Sequence, residues 1–397
     1  MSSAPVWHLF KTRPGAEMLT DDSILAAFFD VGKLEEFWLR WYLRGFIEEG
    51  YGKVKFLLGS EGSGKTHLLR HLALTATSLQ YLAVIIDARR IRLADIEELY
   101  RAIATSLPLA DIVERACHAV IAEHLGYPEF EGAAAEFAPW AERVRGLDSV
   151  LLRRDIREAV DRFLHPLDLS NDVLLALRSW LNLRIIDDPD PGTACSFLLG
   201  QKLSAAERKS LGVYANLNRR NARTALSSLF AFCHAAGFRG VVTLIDHLET
   251  MANTARLEGE LYYTRGKRDQ SYEMLRQIID ESVHTPYFML VLAGSSDPLG
   301  DTRVGFPSYP ALWARIQNEI STDQVNRFAD VIAMDTLWHN DAESAEHLAK
   351  IWLSHQPHLD ETIAPYRSPD AVGLEWALAR RVVLAALSAR DTPLEEV

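Results

Sequence analysis

Short runs of apolar residues, far apart in the chain, carry the first structural signal. Each run is almost continuously apolar, which is typical of parallel strands that are buried on both faces of a sheet. Stretches with apolar residues at helical spacing lie between these runs. We therefore predict an α/β fold with three layers, in which helices cover both faces of a parallel sheet. The predicted strands are Val54–Leu58, Leu82–Ile86, Val241–Ile245, Phe288–Leu292 and Val331–Met334.

The interval between the second and third predicted strands is unusually long, at more than 150 residues. Most of it has apolar residues at helical spacing, and turn-forming residues interrupt it at Gly126–Pro128 and Asp187–Gly192. We interpret residues 108–204 as a helical insertion into the α/β core. The predicted helices of the interval are Ala94–Leu107, Leu109–Leu125, Val150–Leu164, Val173–Leu183 and Ser204–Leu211.

The loop after the first predicted strand has the sequence of a phosphate-binding loop. It matches the pattern G-x-x-x-x-G-K-[ST], and a stretch with helical spacing, Thr66–Leu79, follows it. The glycines allow the tight turns that point backbone N–H groups at phosphate oxygens, and the lysine supplies a positive charge for the β- and γ-phosphates. The threonine hydroxyl is a candidate Mg²⁺ ligand. The candidate nucleotide-binding residues of the loop are Gly59, Ser60, Glu61, Gly62, Ser63, Gly64, Lys65 and Thr66.

A second element of such a site is an acidic residue at the end of a buried strand. Asp246 directly follows the apolar run 242–245, and a carboxylate there holds Mg²⁺, usually through water. Thr66 and Asp246 are thus the candidate metal ligands. Many related ATPases have Glu next, where it orients or deprotonates water, but here the residue is His247. Glu249 shares a face with His247 in an extended chain and is a candidate replacement. His247 is a second candidate base. The third alternative is that neither Glu249 nor His247 activates water, so that the protein binds ATP and hydrolyses it slowly.

Three further residues are candidates for sensing or stabilising the γ-phosphate. Ser295 follows the fourth predicted strand, where a polar side chain would lie near the phosphate, although it is equally compatible with a simple turn. Arg303 and Arg315 lie in a region from which related folds often send an arginine to the nucleotide of a neighbouring subunit. The alternative for both arginines is a surface salt bridge.

Composition limits the kind of partner and compartment. The net charge of −12 excludes binding of nucleic acid through a positive charge spread over the whole protein. Any contact with DNA must therefore come from local basic clusters. The alternative for each cluster is a solvated helix face or a contact between subunits. We predict a cytoplasmic protein, because the three cysteines are widely spaced, no apolar run is long enough to cross a bilayer and the sequence shows no secretory signal. The basic clusters are Arg89–Arg92, Arg153–Arg157, Arg219–Arg223 and Arg265–Arg268.

Together these patterns predict the domain organisation. The segment from 336 onwards has no strand pattern and holds ten Asp or Glu against five Lys or Arg, which is compatible with a small acidic helical lid. We predict an N-terminal arm (1–31), a first part of the nucleotide-binding core (32–107), the helical insertion (108–204), a second part of the core (205–335) and a helical lid (336–397).

The chain resembles the P-loop ATP-binding family associated with BREX bacteriophage-defence systems, an AAA+-type ATPase family. The resemblance extends from about Val31 to Ile316 and is poor around residues 110–200. The phosphate loop itself is generic, and the later segments make the likeness specific. The segments that carry it are Phe56–Arg70, Lys202–Val213, Ala236–Asp246, Tyr272–Asp280 and Ala293–Leu312.

This resemblance implies a cytoplasmic prokaryotic ATPase that binds ATP and Mg²⁺. It implies an AAA+-type three-layer P-loop NTPase core with strand order 5-1-4-3-2 and a C-terminal helical lid. It also implies assembly into a homo-oligomer or with other defence proteins, often on or near DNA. No membrane partner is expected, because no apolar run is long enough to cross a bilayer. His247 departs from the family pattern, which puts hydrolysis in question while the phosphate loop and Asp246 stay intact.

Three functions are compatible with the sequence. The leading hypothesis is an ATPase or ATP-gated switch that serves a BREX-like antiphage complex. A small-molecule kinase would use the same loop, but the acidic C-terminal segment fits an arginine-rich phosphate clamp poorly. The third is a binding module in which nucleotide is held permanently for stability. ATP is expected rather than GTP from the resemblance, and the guanine-reading pattern N-K-x-D is absent.

Overall fold

A computed structural model describes residues 30–60, 63–186, 192–253, 261–317 and 326–340. Its centre is a five-stranded sheet in which every paired strand is parallel to its neighbour. The strands lie in the order β2-β3-β4-β1-β5, which reads 5-1-4-3-2 when counted from the β5 edge. The strands are β1 (Gly52–Leu58), β2 (Leu82–Asp87), β3 (Val241–Asp246), β4 (Phe288–Gly294) and β5 (Val331–Ala333).

The continuous apolar runs are explained by burial on both faces of the sheet. All residues of β3 and β4 are buried, and side chains alternate between two separate hydrophobic clusters. In β4, for example, Leu290 and Leu292 face one cluster, while Met289 and Val291 face the other. The five predicted strands are therefore present, and the last one differs at its end because Met334 already begins a helix.

Helices cover both faces of the sheet. The first helix, α1 (Leu34–Trp38), continues as a π-helical segment to Ile47, and α4 (Leu109–Ala119) continues in the same way to His124. The other helices are α2 (Lys65–Ser78), α3 (Ile96–Ser106), α5 (Phe137–Arg145), α6 (Ser149–Leu164), α7 (Asn171–Ile186), α8 (Gly192–Leu198), α9 (Ala205–Leu211), α10 (Ala222–Ala235), α11 (Arg265–Glu281), α12 (Asp297–Gly300), α13 (Pro310–Ile316) and α14 (Met334–Asn340). Short 3-10 turns lie at Val31–Lys33, Ala134–Glu136, Leu248–Ala252, Ser282–His284 and Phe306–Ser308.

In the long interval between β2 and β3, the described residues form helices joined by turns and loops, and no strand. Helices α3 and α10 pack on the sheet, and Phe230 of α10 stacks on Phe288 of β4 with ring centroids 4.5 Å apart. The buried side chains of α4 to α8 belong to the same hydrophobic cluster as those of α3, α10 and one face of the sheet. The interval thus extends the core of the sheet and does not form a separate hydrophobic core.

The helix after the phosphate loop is fixed to α1 by a buried polar pair. Glu35 of α1 lies 2.5 Å from Nδ1 of His71 in α2, and only 2% of Glu35 is exposed. Burial raises the pKa of the Glu35 carboxyl to about 8 and lowers that of the His71 imidazole, so both groups favour their neutral forms at pH 7. A neutral carboxyl that donates to a neutral imidazole avoids the cost of burying two charges.

A buried lysine fixes the edge strand beside the phosphate loop. Nζ of Lys55 in β1 donates to the carbonyl oxygens of Phe328 and Ala329 at 2.7 and 2.8 Å and to Asp330 at 3.2 Å. The ammonium also lies 4.6 Å from the centroid of the Tyr42 ring. The three oxygens compensate the buried charge and hold the turn before β5. Strand β5 and helix α14 follow this turn directly, and α14 begins next to the phosphate loop.

Candidate functional site

The phosphate loop connects the end of β1 to the start of α2, as its sequence predicts. Gly64 has φ +94°, a conformation that side chains rarely adopt, and it directly precedes the first residue of α2. At Gly59 the requirement is space, because a Cβ atom there would lie 2.8 Å from Oγ of Ser63 and 2.9 Å from Cβ of Met334. Glu61 and Gly62 lie outside the described residues.

Lys65 lies over the loop that precedes it. Its Nζ donates to the carbonyl oxygens of Gly59 and Ser60 at 2.9 and 2.8 Å, and it is 3.3 Å from Oγ of Ser63. The positive charge is therefore held within the loop, at the place where a phosphate-binding loop uses a lysine.

Thr66 and Asp246 are in direct contact although 180 residues separate them in the chain. Oγ1 of Thr66 donates to Oδ2 of Asp246 at 2.6 Å. Asp246 is the last residue of β3 and is only 7% exposed, whereas Thr66 is exposed at the start of α2. A hydroxyl oxygen and a carboxylate side by side are ligands of the kind that a hard cation such as Mg²⁺ takes, since Mg²⁺ is held by few protein ligands together with phosphates. The donor set therefore suits the metal that the loop motif implies.

The residues after Asp246 form a network that extends to β4. His247 adopts a left-handed conformation, with φ 63° and ψ 41°, which histidine tolerates better than most residues. Its backbone N–H donates to Oδ1 of Asp246 at 2.9 Å, and its Nδ1 lies 3.1 Å from Oε1 of Glu249. The other oxygen of Glu249 accepts the backbone N–H of Ser295 at 3.0 Å. The sequence candidates Asp246, His247, Glu249 and Ser295 are thus brought together.

The electrostatics of this network favour the charged forms of both His247 and Glu249. Burial disfavours the imidazolium, but the hydrogen bond with Glu249 and the charge of Asp246 outweigh it and raise the pKa of His247 above its usual value. Burial likewise favours the neutral carboxyl, but the hydrogen bond with His247 outweighs it and lowers the pKa of Glu249. The opposite directions indicate attraction between the two side chains. Glu249 is therefore held in one orientation from two sides.

An ion pair that the sequence did not single out lies at the end of β2. Asp87 is in register with Asp246 on the neighbouring strand β3. Arg89 donates from Nε to Oδ1 of Asp87 at 3.0 Å and from a terminal nitrogen to Oδ2 at 2.9 Å. Burial favours the neutral carboxyl, but these bonds outweigh it and lower the pKa of Asp87. The pair neutralises a carboxylate that would otherwise add to the negative charge beside Asp246.

The remaining sequence candidates lie in different surroundings. The hydroxyl of Ser295 donates to Asp297 at 2.9 Å, so both its backbone and its side chain have partners. Arg303 is exposed, and its backbone N–H donates to Asp301. Arg315, also exposed, donates through Nε and a terminal nitrogen to the two carboxylate oxygens of Asp280 in α11, at 2.9 and 3.1 Å. Of the two arginines, only Arg315 therefore has a carboxylate ion pair with α11.

Asp335 contacts the phosphate loop at Ser60, and it is not among the site residues predicted from the sequence. Its Oδ2 accepts the backbone N–H of Ser60 at 2.8 Å, and its Oδ1 accepts the Ser60 hydroxyl at 2.6 Å. A signal was available, because the apolar residues 331–334 are followed by Asp, the same pattern that identified Asp246. The sequence pattern predicts the strand, but Asp335 is not among the predicted site residues.

Two features are absent from the described residues. No group of three or more His, Cys, Asp or Glu side chains there has the arrangement of a self-contained metal site. Within the same residues, no helix has both the length and the apolar character needed to span a bilayer.

Comparison with known proteins agrees with the resemblance seen in the sequence. Residues 43–364 match the family described as BREX system ATP-binding protein BrxC/D, and this region includes the phosphate loop, Asp246 and Asp335. No curated protein and no solved structure matches the chain. Because the match covers most of the 397 residues, the chain belongs to the BREX system ATP-binding protein BrxC/D family.

Proposed function

We propose that this chain is an AAA+-type ATPase or ATP-gated switch that binds ATP with Mg²⁺ and serves a BREX defence complex. The observation that carries this proposal is the 2.6 Å contact between Thr66 and Asp246. It joins the end of the phosphate loop to the end of β3, which is the arrangement through which P-loop ATPases hold the nucleotide and its metal. Membership of an ATP-binding family supports ATP as the nucleotide.

The binding roles follow from the positions of the side chains. Lys65 would neutralise phosphate charge from within the loop, and the backbone N–H groups at the start of α2 would bind the phosphates at the favourable end of the helix dipole. Thr66 and Asp246 would hold Mg²⁺, Thr66 directly and Asp246 through water. When bound, the cation neutralises negative charge on the β- and γ-phosphate oxygens.

Glu249 is the residue that we assign to orient the attacking water, and His247 is assigned to hold Glu249. Both oxygens of Glu249 have a partner, but each carboxylate oxygen has a second lone pair that accepts a bond from water. The bond to Ser295 ties Glu249 to the end of β4, next to β1 and its phosphate loop. If Glu249 lies too far from the γ-phosphate, the protein acts as an ATP-gated switch with slow turnover.

Arg303 is the better candidate for an arginine that reaches a neighbouring subunit. Its side chain is exposed, whereas Arg315 would first have to leave Asp280, to which it donates two hydrogen bonds. An arginine supplied across an interface would link hydrolysis to assembly of a homo-oligomer. Ser295, whose hydroxyl already binds Asp297, would have to rearrange to contact the γ-phosphate.

The proposed setting is the prokaryotic cytoplasm, in a complex that works on or near DNA. Local charge supports contact with nucleic acid, because residues 201–223 hold six Lys or Arg and one Glu in a chain of net charge −12. Two of these, Arg219 and Arg223, pair with Asp95 and Glu281, and the other four have no ion pair among the described residues. Within this segment Tyr214 is 91% exposed, and an exposed aromatic ring among basic residues is a common feature of surfaces that bind nucleic acid.

We also propose the domain division deduced from the sequence. The core would comprise 32–107 and 205–335, the helical insertion 108–204, the N-terminal arm 1–31 and the lid 336–397. The parallel sheet supports the assignment of the core, and the helical interval between β2 and β3 supports the assignment of the insertion. Most residues of the arm and lid lie outside the described part of the chain.

The test is ATP turnover by the purified protein with Mg²⁺, with and without double-stranded DNA, beside the Lys65→Ala variant. Release of phosphate that disappears in the variant would support the ATPase, and stimulation by DNA would support the DNA-linked role. Binding without turnover would support the switch. Transfer of phosphate to an added small acceptor would favour a kinase, and nucleotide that stays bound through gel filtration and does not exchange would favour a structurally held nucleotide.

A further inference from the structure

Helix α14 contacts the phosphate loop through two adjacent residues at its start. Asp335 accepts two hydrogen bonds from Ser60, one from the backbone and one from the hydroxyl. Met334 lies beside Gly59 and Gly64 of the loop, since a Cβ on Gly59 would be 2.9 Å from Cβ of Met334 and one on Gly64 would be 3.9 Å from its Cε. One polar and one apolar contact thus fix the loop to the same helical turn.

The same helix also contacts the turn that precedes α1. A Cβ on Gly32 would lie 3.0 Å from Cδ2 of Leu337 in α14. Arg327, in the turn before β5, donates from Nε to the carbonyl oxygen of Gly32 at 2.6 Å. Helix α14 therefore lies between the phosphate loop and the start of the described chain. A displacement of α14 would be transmitted to both.

Asp335 has the same sign of charge as the phosphates that such a loop binds. A phosphate-binding loop presents donors and a lysine to an anion, but here a carboxylate is bonded to one of the donors. Like charges in one site repel, and the repulsion increases with the charge of the ligand. ATP carries one negative charge more than ADP, so Asp335 must disfavour ATP more strongly than ADP.

We propose that Asp335 is a nucleotide-sensing positioning residue that couples the charge bound in the phosphate loop to the position of helix α14. The proposal rests on ATP binding at this loop, and it adds the connection by which the nucleotide acts on the rest of the chain. Binding of ATP weakens the contact between Asp335 and Ser60, and binding of ADP leaves it largely intact. By reciprocity, the contact lowers affinity for ATP by the same factor by which ATP weakens the contact.

Asp335→Asn tests the charge while it keeps the shape of the side chain. Calorimetric titration is expected to show that affinity for ATP rises about tenfold and affinity for ADP about threefold, because the repelling charge is gone. The matched control is Asp172→Asn. Asp172 also accepts a backbone N–H bond, from Tyr214 at 2.7 Å, but lies in α7 among the helices between β2 and β3. Unchanged relative affinity for ATP and ADP in Asp335→Asn would overturn the proposal.

Ser60→Ala removes the hydroxyl partner from the other side of the same contact. If the two residues act through each other, the effects of Ser60→Ala and Asp335→Asn on ATP affinity will be non-additive in the double variant. Additive effects would contradict a coupling through this contact, even if each single variant changed affinity.

Hydrogen–deuterium exchange separates coupling from a merely structural role. In the wild-type protein, peptides covering residues 331–340 are expected to exchange faster with ATP than with ADP, and this difference should vanish in Asp335→Asn. A difference that persists in the variant would sink the proposal. If the wild-type protein binds neither nucleotide, the proposed function fails. If it binds both and Asp335→Asn behaves identically, only the coupling fails.

Discussion

The two ends of the phosphate loop are each held by an aspartate from the end of another strand. At the far end Thr66 binds Asp246 of β3, and at the near end Ser60 binds Asp335 just after β5. Both contacts have one origin, since parallel strands place their carboxyl ends at the same edge of a sheet, where ligands bind. They differ in chemistry, because the Asp246 carboxylate can share a cation with the phosphates, whereas the Asp335 carboxylate accepts a backbone N–H of the loop itself.

The position of an aspartate after a strand therefore does not by itself define its functional role. An acidic residue after a buried strand is found at Asp87, Asp246 and Asp335. Asp87 is neutralised by Arg89, Asp246 contacts the threonine of the loop, and Asp335 contacts the serine. The partner of each carboxylate decides its chemistry. Changes at the Thr66 end should therefore abolish binding or turnover, while changes at the Ser60 end should alter the preference between nucleotides.

The largest expected effect is that of Glu249→Gln, at the Thr66 end. If Glu249 orients the water, turnover falls about 100-fold to 10,000-fold, the range for losing a positioned acid or base, while ATP affinity stays within about threefold. Steady-state phosphate release and calorimetric binding measure the two quantities separately. Glu273→Gln is the matched control, because Glu273 contacts Arg276 and Tyr309, away from the loop. Normal turnover in Glu249→Gln would instead leave His247 or a partner protein as the source of the catalytic group.

Lys65→Ala is expected to have the next largest effect, on binding itself. Loss of charged hydrogen bonds to phosphate costs about 3 kcal/mol, which corresponds to about a 100-fold loss of affinity for ATP. Calorimetric titration measures this directly, with Lys209→Ala as a control at an exposed lysine of α9. Comparable affinity in the wild type and Lys65→Ala would remove the phosphate loop from the proposed site.

Asp246→Asn should weaken the metal more than the nucleotide. We expect the Mg²⁺ concentration needed for half-maximal ATP binding to rise about 10-fold to 100-fold, as is usual when a group that orients metal-bound water is changed. Asp335→Asn, at the other end of the loop, should leave this Mg²⁺ dependence unchanged. Equal shifts in both variants would mean that the two ends of the loop do not have separate roles.

The sequence predicted the fold more completely than the site. Apolar runs such as Phe288–Leu292 predicted the strands because burial on both faces leaves little room for polar residues, and the loop motif predicted the position of Lys65. The motif could not reveal that Lys65 bonds to the carbonyl of Gly59, or that Glu249 bonds to the backbone of Ser295. Such contacts depend on which strand ends become neighbours. The sequence therefore predicted which residues are chemically able to act, but not their partners.

The smallest expected effect belongs to Arg315→Ala, which lies at neither end of the loop. Arg315 forms an exposed pair with Asp280, and Asp280 keeps Arg276 as a second partner in the variant. Exposed pairs contribute about 0.5 kcal/mol, so the melting temperature should fall by about 1 °C and ATP turnover should not change. Thermal unfolding and phosphate release, both at protein concentrations that allow assembly, provide the measurement. A large loss of turnover with an unchanged melting temperature would show that Arg315 leaves Asp280 to reach a nucleotide. Arg315, and not Arg303, would then be the arginine that acts on the neighbouring subunit.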